Sequence, residues 1–369
     1  MKKISVWLIA AALLFITGCT PNVNDEEVLQ NDEAEEQTSI VPSYQLSEEN
    51  YKMILPYRPS EARGVITNQI ANRLDIDEME EGLRRHSKAV YDPGKYFFEE
   101  GQYLKEDMVY QLITDLNPKI EKGSDKKVYE ENPRYLSHIL EQNFVEKQDD
   151  NSVELVGMSI GLALKSVYRF QTKTGGPYYY EDIPQSEMME QGNEIAQEVV
   201  ERIREMDGLQ NIPIMIALYR EQESGSPVPG NFVAKTNVAG GSASIGGWDE
   251  IDEENILFPS SEGREKYFDD HETVTNFGNE VAQYFPNYVG VIGDGFYING
   301  ELQKLTIEIP IEFYGKGEVV GFTQYTYGLV LDMFPDYFDL EINIKSSNKM
   351  ESLIYREAGA ESPTVHIFH

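Results

Sequence analysis

The sequence predicts an α+β fold, with internally duplicated mixed strand–helix–strand repeats after a signal peptide and an acidic tether. Three observations predict it. A short apolar run with a positive start opens the chain, and a stretch crowded with Asp and Glu follows. Beyond that, a strand, an amphipathic helix and a second strand occur in that order twice, about 145 residues apart. The expected divisions are 1–18, a signal peptide; 19–43, a lipidated Cys and flexible tether; 44–222, a first repeat with a helical N-terminal part; and 223–369, a second repeat.

Lys2 and Lys3 supply the positive start, and Ile4 to Ile16 are almost continuously apolar. That run is too short to span a bilayer as a permanent helix, which takes roughly 20 residues, but it suits an export signal. Ile16-Thr17-Gly18-Cys19 matches the bacterial lipobox: apolar, small, small, Cys. The match predicts cleavage between Gly18 and Cys19 and a diacylglyceryl group on Cys19. The partner of that group is the lipid bilayer, at the extracellular face of a cell membrane. Two acyl chains are what stable anchoring requires. Cys19 is the one cysteine of the chain, so lipidation leaves no disulfide, thiolate metal site or cysteine nucleophile. A cysteine-free exported body fits a Gram-positive surface.

Asp25, Glu26, Glu27, Asp32, Glu33, Glu35 and Glu36 crowd the next stretch, which holds no Lys or Arg through residue 43. Repulsion between like charges predicts an extended spacer, with an end-to-end distance of about 27 Å as a loose coil. The whole chain carries 31 Lys+Arg against 64 Asp+Glu, a net charge of −33, and loss of Lys2 and Lys3 takes it to −35. Such a surface repels nucleic acid and anionic lipid heads, which excludes both as direct partners of the body, while it suits solubility in a cation-rich layer. With 40% hydrophobic residues, 23 Tyr and 16 Phe, the body has ample material for a buried core.

Asp75-Ile76-Asp77-Glu78 reads as a capping box ahead of Ile76, Met79 and Leu83 at helical spacing. Lys105–Leu116 is a second helix, and Asn132-Pro133 reads as a helix start. The first repeat comprises Val153–Phe170 (a strand or hairpin of strands), Gln185–Met206 (a helix) and Ile212–Tyr219 (an interior strand apolar on both faces). Ser224–Gly247, rich in Gly, Ser and Pro, reads as a loop or surface hairpin, and a helix over Asp270–Tyr284 opens the second half. The second repeat is Leu302–Tyr314 after an Asn299-Gly300 turn, then a helix over Glu318–Phe334, then Leu340–Ile344, with Met350–Tyr355 beside it.

Three internal segments carry a resemblance: Tyr57-Arg58-Pro59-Ser60-Glu61-Ala62-Arg63-Gly64, Tyr96-Phe97-Phe98-Glu99-Glu100-Gly101-Gln102-Tyr103-Leu104 and Tyr135-Leu136-Ser137-His138-Ile139-Leu140-Glu141-Gln142. With the lipobox, they make the chain similar to the CamS family, surface lipoproteins of Firmicutes described as sex-pheromone precursors. The resemblance implies an α+β repeat pair for the body. It also implies that the residues before the lipobox Cys, here Ala12, Leu13, Leu14, Phe15, Ile16, Thr17 and Gly18, are the candidate for a trimmed peptide that induces conjugative plasmid transfer. The family is not defined by a catalytic motif.

The remaining motifs have plainer readings. Ser124-Asp125-Lys126-Lys127 and Lys173-Thr174-Gly175 match two boxes of penicillin-recognising enzymes, but they lie in charged loops without the third box. Gly240–Gly247 lacks the Lys of a P-loop. Gly290-Val291-Ile292-Gly293-Asp294-Gly295 reads as a hairpin turn. Asp269-Asp270-His271-Glu272 is explained by a helix N-cap better than by a metal, and His86 and His138, placed in helices, have no partner at ligand spacing. His366 and His369 belong to the tail. Tyr178-Tyr179-Tyr180 is more simply packing than a platform for wall sugars. The expected body is therefore non-enzymatic, without metal or cofactor, and takes an unknown protein, peptide or wall ligand. A solute-binding lipoprotein of a transporter shares the lipobox but needs two doubly wound lobes, and a wall hydrolase lacks any motif here.

Overall fold

The structure, a computed structural model, describes residues 26–31, 36–47, 50–65, 71–285, 288, 290–313, 315–347 and 349–369. Strands β1 (Glu26–Asn31) and β2 (Glu36–Val41) pair antiparallel. After β3 (Lys52–Met53) come a 3-10 turn over Glu61–Gly64, β4 (Asn72–Arg73), helix α1 (Ile76–Ser87), β5 (Phe97–Glu100), α2 (Glu106–Asp115) and α3 (Lys126–Glu130). Then follow β6 (Leu136–Lys147), β7 (Val153–Leu164), β8 (Val167–Phe170), β9 (Tyr179–Asp182), α4 (Gln185–Arg204), β10 (Ile214–Arg220), β11 (Gln222–Glu223), β12 (Asn231–Val238) and β13 (Asp249–Glu250). The chain closes with β14 (Glu253–Phe258), α5 (Ser261–Lys266), α6 (Phe268–Tyr284), β15 (Ile292–Ile298), β16 (Glu301–Pro310), α7 (Lys316–Met333), β17 (Asp339–Ser346), β18 (Lys349–Arg356) and β19 (Thr364–Ile367).

Two sheets organise these elements. The first runs β13-β12-β10-β7-β6-β5-β3 and the second β14-β15-β16-β17-β18-β19. From β5 to β13 and from β14 to β19, successive pairs are antiparallel, antiparallel, parallel, antiparallel, antiparallel in both sheets. Two helices separate the first two strands of each series, and a long helix, α4 or α7, crosses over between the parallel pair. A parallel pair cannot be joined by a tight turn, so each crossover needs its helix.

The sheets differ in how they are covered. Ile160, Leu162 and Leu164 of β7 and Ile216 and Leu218 of β10 join α2 and α4 in one core, while Ala163, Met215, Ala217 and Tyr219 meet α1 on the other face. Strands buried on both faces read as continuous apolar runs, which is why Ile212–Tyr219 was legible as interior. In the second sheet Leu305, Ile307 and Ile309 pack on α6 and α7, and the opposite face carries Lys304, Thr306 and Glu308. At the junction, Arg85 of α1 donates from Nε and Nη2 to both carboxylate oxygens of Glu253 at 3.1 Å, and its guanidinium lies 4.4 Å from the Phe296 ring centroid.

Several expectations need correction. Part of the expected tether is structured: Val28 and Val41 are buried with Ile54 and Val145, and the Leu29 amide donates to the Asn151 carbonyl at 2.6 Å. Apolar burial there outweighs the repulsion of the flanking carboxylates. Asn132-Pro133 ends a turn before β6 instead of starting a helix, so His138 lies on a strand. The stretch 224–247 contains β12, whose Phe232, Val233 and Ala234 are buried. The chain consequently leaves the first sheet after β13, beyond the expected break at 222/223. Gly293-Asp294-Gly295 is strand rather than turn, paired with β14 on one side and β16 on the other, and its glycines answer to packing: a side chain at Gly295 would strike the Phe258 ring at 2.8 Å. The lipobox, Cys19, Gly18 and the segment Ala12–Gly18 lie outside the described residues.

Candidate functional site

The three segments Tyr57–Gly64, Tyr96–Leu104 and Tyr135–Gln142 converge on one cavity of about 70 Å³, closed on its remaining side by Ile76, Glu80 and Arg84 of α1. Their local structure explains why. Ser60 caps the 3-10 turn, its hydroxyl accepting from the Ala62 amide at 3.2 Å. The Ser60 amide in turn donates to Glu100 Oε2 at 2.6 Å, and Arg63 Nη2 pairs with Glu100 Oε1. Glu100 thus ties the turn to the end of β5. Tyr57, 43% exposed, stands at the mouth, and burial together with its bond to the Glu100 carboxylate pushes its phenol pKa up.

Beneath them, residues 101–104 wrap the carboxylate of Glu141. It accepts from the amides of Gln102 (3.0 Å), Tyr103 (3.2 Å) and Leu104 (2.6 Å), and from Asn143 Nδ2 at 2.8 Å. Burial pushes the Glu141 pKa up while these donors hold it down. Burial likewise raises Glu80, against the pull of Arg63. His138 and Gln142 share the cavity-lining stretch of β6. Gln142 Nε2 donates to the Glu80 carbonyl at 2.8 Å, but Gln142 Oε1 and His138 Nδ1 are buried without a protein partner. Burial brings the His138 pKa down to about 4, so the ring is neutral. With Arg84 Nε, likewise buried without a partner, three orphaned polar atoms belong to the lining of a cavity whose size suits water or a small polar group. Glu100 and Glu141, the two buried carboxylates of the wall, are each committed to backbone amides and to Arg63 or Asn143, and Glu100 also accepts from the Tyr57 phenol.

Other expected features disperse. Asp270 Oδ2 accepts from the Tyr297 hydroxyl at 2.8 Å, His271 is buried, and Tyr267 holds the N-cap position expected for Asp269 or Asp270. Among the described residues no group of three His, Cys, Asp or Glu is placed to hold a metal. His86 faces the Glu253 carboxylate at 3.0 Å across the sheet junction. Ser124 Oγ donates to the Glu121 carbonyl within a turn. Tyr178 and Tyr180 are exposed at the β8–β9 hairpin. Reading His138 as helical hides its place on β6 beside Gln142, although the turn residues Asp149-Asp150-Asn151 and the β-rich run that follows mark a hairpin of long strands.

Fold and cavity together define an α+β protein built on two large sheets, with a small cavity where three segments of the first half meet. The model of the CamS family, described as CamS sex pheromone cAM373 precursor, matches residues 57–362, and the chain belongs to that family. The crystal structure of a sex pheromone precursor from Lactobacillus salivarius subsp. salivarius is similar at 28% identity, with a TM-score of 0.81 over 89% of this chain and 98% of that one. The C-terminal domain of the sex pheromone staph-cAM373 precursor from Staphylococcus aureus is similar at 29% identity, with a TM-score of 0.67 over 79% of this chain and 96% of that one. No curated protein matches the chain.

Proposed function

We propose that this chain is a surface lipoprotein, anchored at the extracellular face of a Gram-positive membrane through diacylglyceryl-Cys19, with a non-catalytic binding body and a signal peptide that yields a secreted peptide ending at Gly18. The observation that carries this reading is family membership over 57–362 in a chain that opens with the lipobox Ile16-Thr17-Gly18-Cys19. Among the described residues no helix is long and apolar enough to cross a membrane, so the body itself offers no helical span in place of the lipid. The binding reading rests on the cavity, whose carboxylates are held by structural donors and whose unsatisfied atoms are a neutral imidazole nitrogen, an amide oxygen and the Nε of Arg84. The solute-binding alternative is disfavoured by sheets whose neighbours are mostly antiparallel, with two parallel pairs in the first and one in the second, where doubly wound lobes need mostly parallel sheets. Fractionation tests the anchor: the wild-type chain partitions with the membrane, and Cys19→Ser appears in the medium or stays as uncleaved precursor. A Cys19→Ser chain matured and retained like the wild type contradicts the proposal.

A further inference from the structure

A second, larger cavity of about 600 Å³ opens between the β8–β9 hairpin and the loops flanking α3. Its charged lining residues are Lys122, Arg134, Lys165 and Arg169, and no Asp or Glu lines it. In a chain with 31 Lys+Arg against 64 Asp+Glu, such a wall departs sharply from the composition around it. Three of the four cations are not spent on carboxylates. Arg169 sits over the Tyr178 ring at 3.9 Å from its centroid, and Arg134 Nη2 donates to the Ile113 carbonyl at 3.4 Å. Lys165 is half-buried, with the charge of the fully buried Glu221 behind it. Among the described residues no ion pair within 4 Å reaches Lys122, Arg134 or Arg169.

Four aromatic rings, of Tyr129, Tyr168, Phe170 and Tyr178, form much of the rest of the wall. Tyr129 stacks on Phe170 with centroids 5.1 Å apart and planes within 1°, Phe170 stacks on Tyr168 at 5.3 Å, and Tyr178 presents a half-exposed ring. Partly buried cations without counter-charges cost free energy unless something anionic meets them. Two guanidinium forks suit the oxygens of a phosphate ester, and a Tyr ring suits the apolar face of a sugar. The volume falls in the range of small-ligand sites, roughly 300–1,000 Å³.

We infer that this groove binds a phosphorylated sugar, with Arg134, Arg169, Lys122 and Lys165 on its phosphates and Tyr178 against its ring. A groove rather than a surface patch is what lets a strongly acidic protein capture an anion, since the long-range field repels it and close contacts within a Debye length must do the holding. The site is separate from the cavity beneath Tyr57 and does not depend on the reading given to that cavity.

Titration calorimetry of the full-length chain in detergent, with glucose 1,6-bisphosphate as probe, tests this. The expected result is saturable one-to-one binding, weakened by salt and at least tenfold tighter than for inorganic phosphate or glucose. Arg134→Gln with Arg169→Gln is expected to weaken it by about tenfold or more. The exposed Lys122→Gln change, and Tyr178→Ala, which also frees Arg169 from the ring it sits over, are each expected to weaken it several-fold, the first with the melting temperature unchanged. Absence of binding, binding no tighter than phosphate, equal binding of polyglutamate, or affinity unmoved in all these variants overturns the assignment.

Discussion

His138 is buried, neutral at pH 7 and without a partner for Nδ1, so it links stability to pH. Its pKa is about 4 in the folded chain and about 6.5 in an unfolded one. Between those values the unfolded state binds a proton that the folded state does not, and stability therefore falls as pH drops from 6.5 towards 4. From pH 7 to pH 5 the loss is about 2 kcal/mol. His138→Phe is expected to remove that part of the pH slope, measured by urea unfolding at the two pH values. Asp294 has the opposite sign. Burial pushes its pKa up to about 6, and its Oδ1 lacks a partner. Its ionised form is thus penalised above pH 6, and Asp294→Asn is expected to raise the melting temperature at pH 7 with little effect below pH 4.

At the scale of elements, close approaches decide what a position tolerates. A Cβ on Gly157 of β7 would lie 2.0 Å from the Tyr91 ring. That ring stacks on Phe144 at 4.4 Å, and its hydroxyl donates to the carbonyls of Met158 (3.1 Å) and Pro213 (3.0 Å). Gly157→Ala is expected to cost about 1–3 kcal/mol in denaturant unfolding, since Tyr91 has no free space into which to move. Elements with a strong period were legible. The α1 cap is as expected, Asp75 Oδ1 accepting from the Glu78 amide at 3.3 Å, and α4, α7, β10, β16 and β17 fall where their apolar spacing put them. β12 and β15 were hidden by Gly, Ser and Pro, whose turn chemistry says nothing of the neighbouring strands that recruit them. The cavity was legible only as three separate segments. That Ser60, Glu100 and His138 meet depends on β5–β6 pairing and on the wrap around Glu141, both of which are long-range.

For the whole molecule, the two large sheets share one series of pairings over six strands each, and an ionic contact joins them. Glu253 is almost fully buried at the start of the second sheet, where it meets Arg85 and His86 from α1. Burial raises its pKa, but His86 and Arg85 prevail and hold it below the usual carboxylate value. Its contribution is therefore present above an unfolded pKa of about 4.3 and lost as pH falls through the folded value. Glu253→Gln is expected to destabilise the chain by about 2 kcal/mol at neutral pH, because it leaves the half-buried Arg85 with Glu78, 3.3 Å away, as its counter-charge, and by much less in acid.

The central claim about this molecule concerns its first nineteen residues, and mass spectrometry of the protein and the culture medium from the native host tests it most directly. The expected result is a mature chain beginning at diacylglyceryl-Cys19, with a peptide ending at Gly18 in the medium. An intact, unmodified N-terminus would contradict both the anchor and the peptide, whatever the body binds.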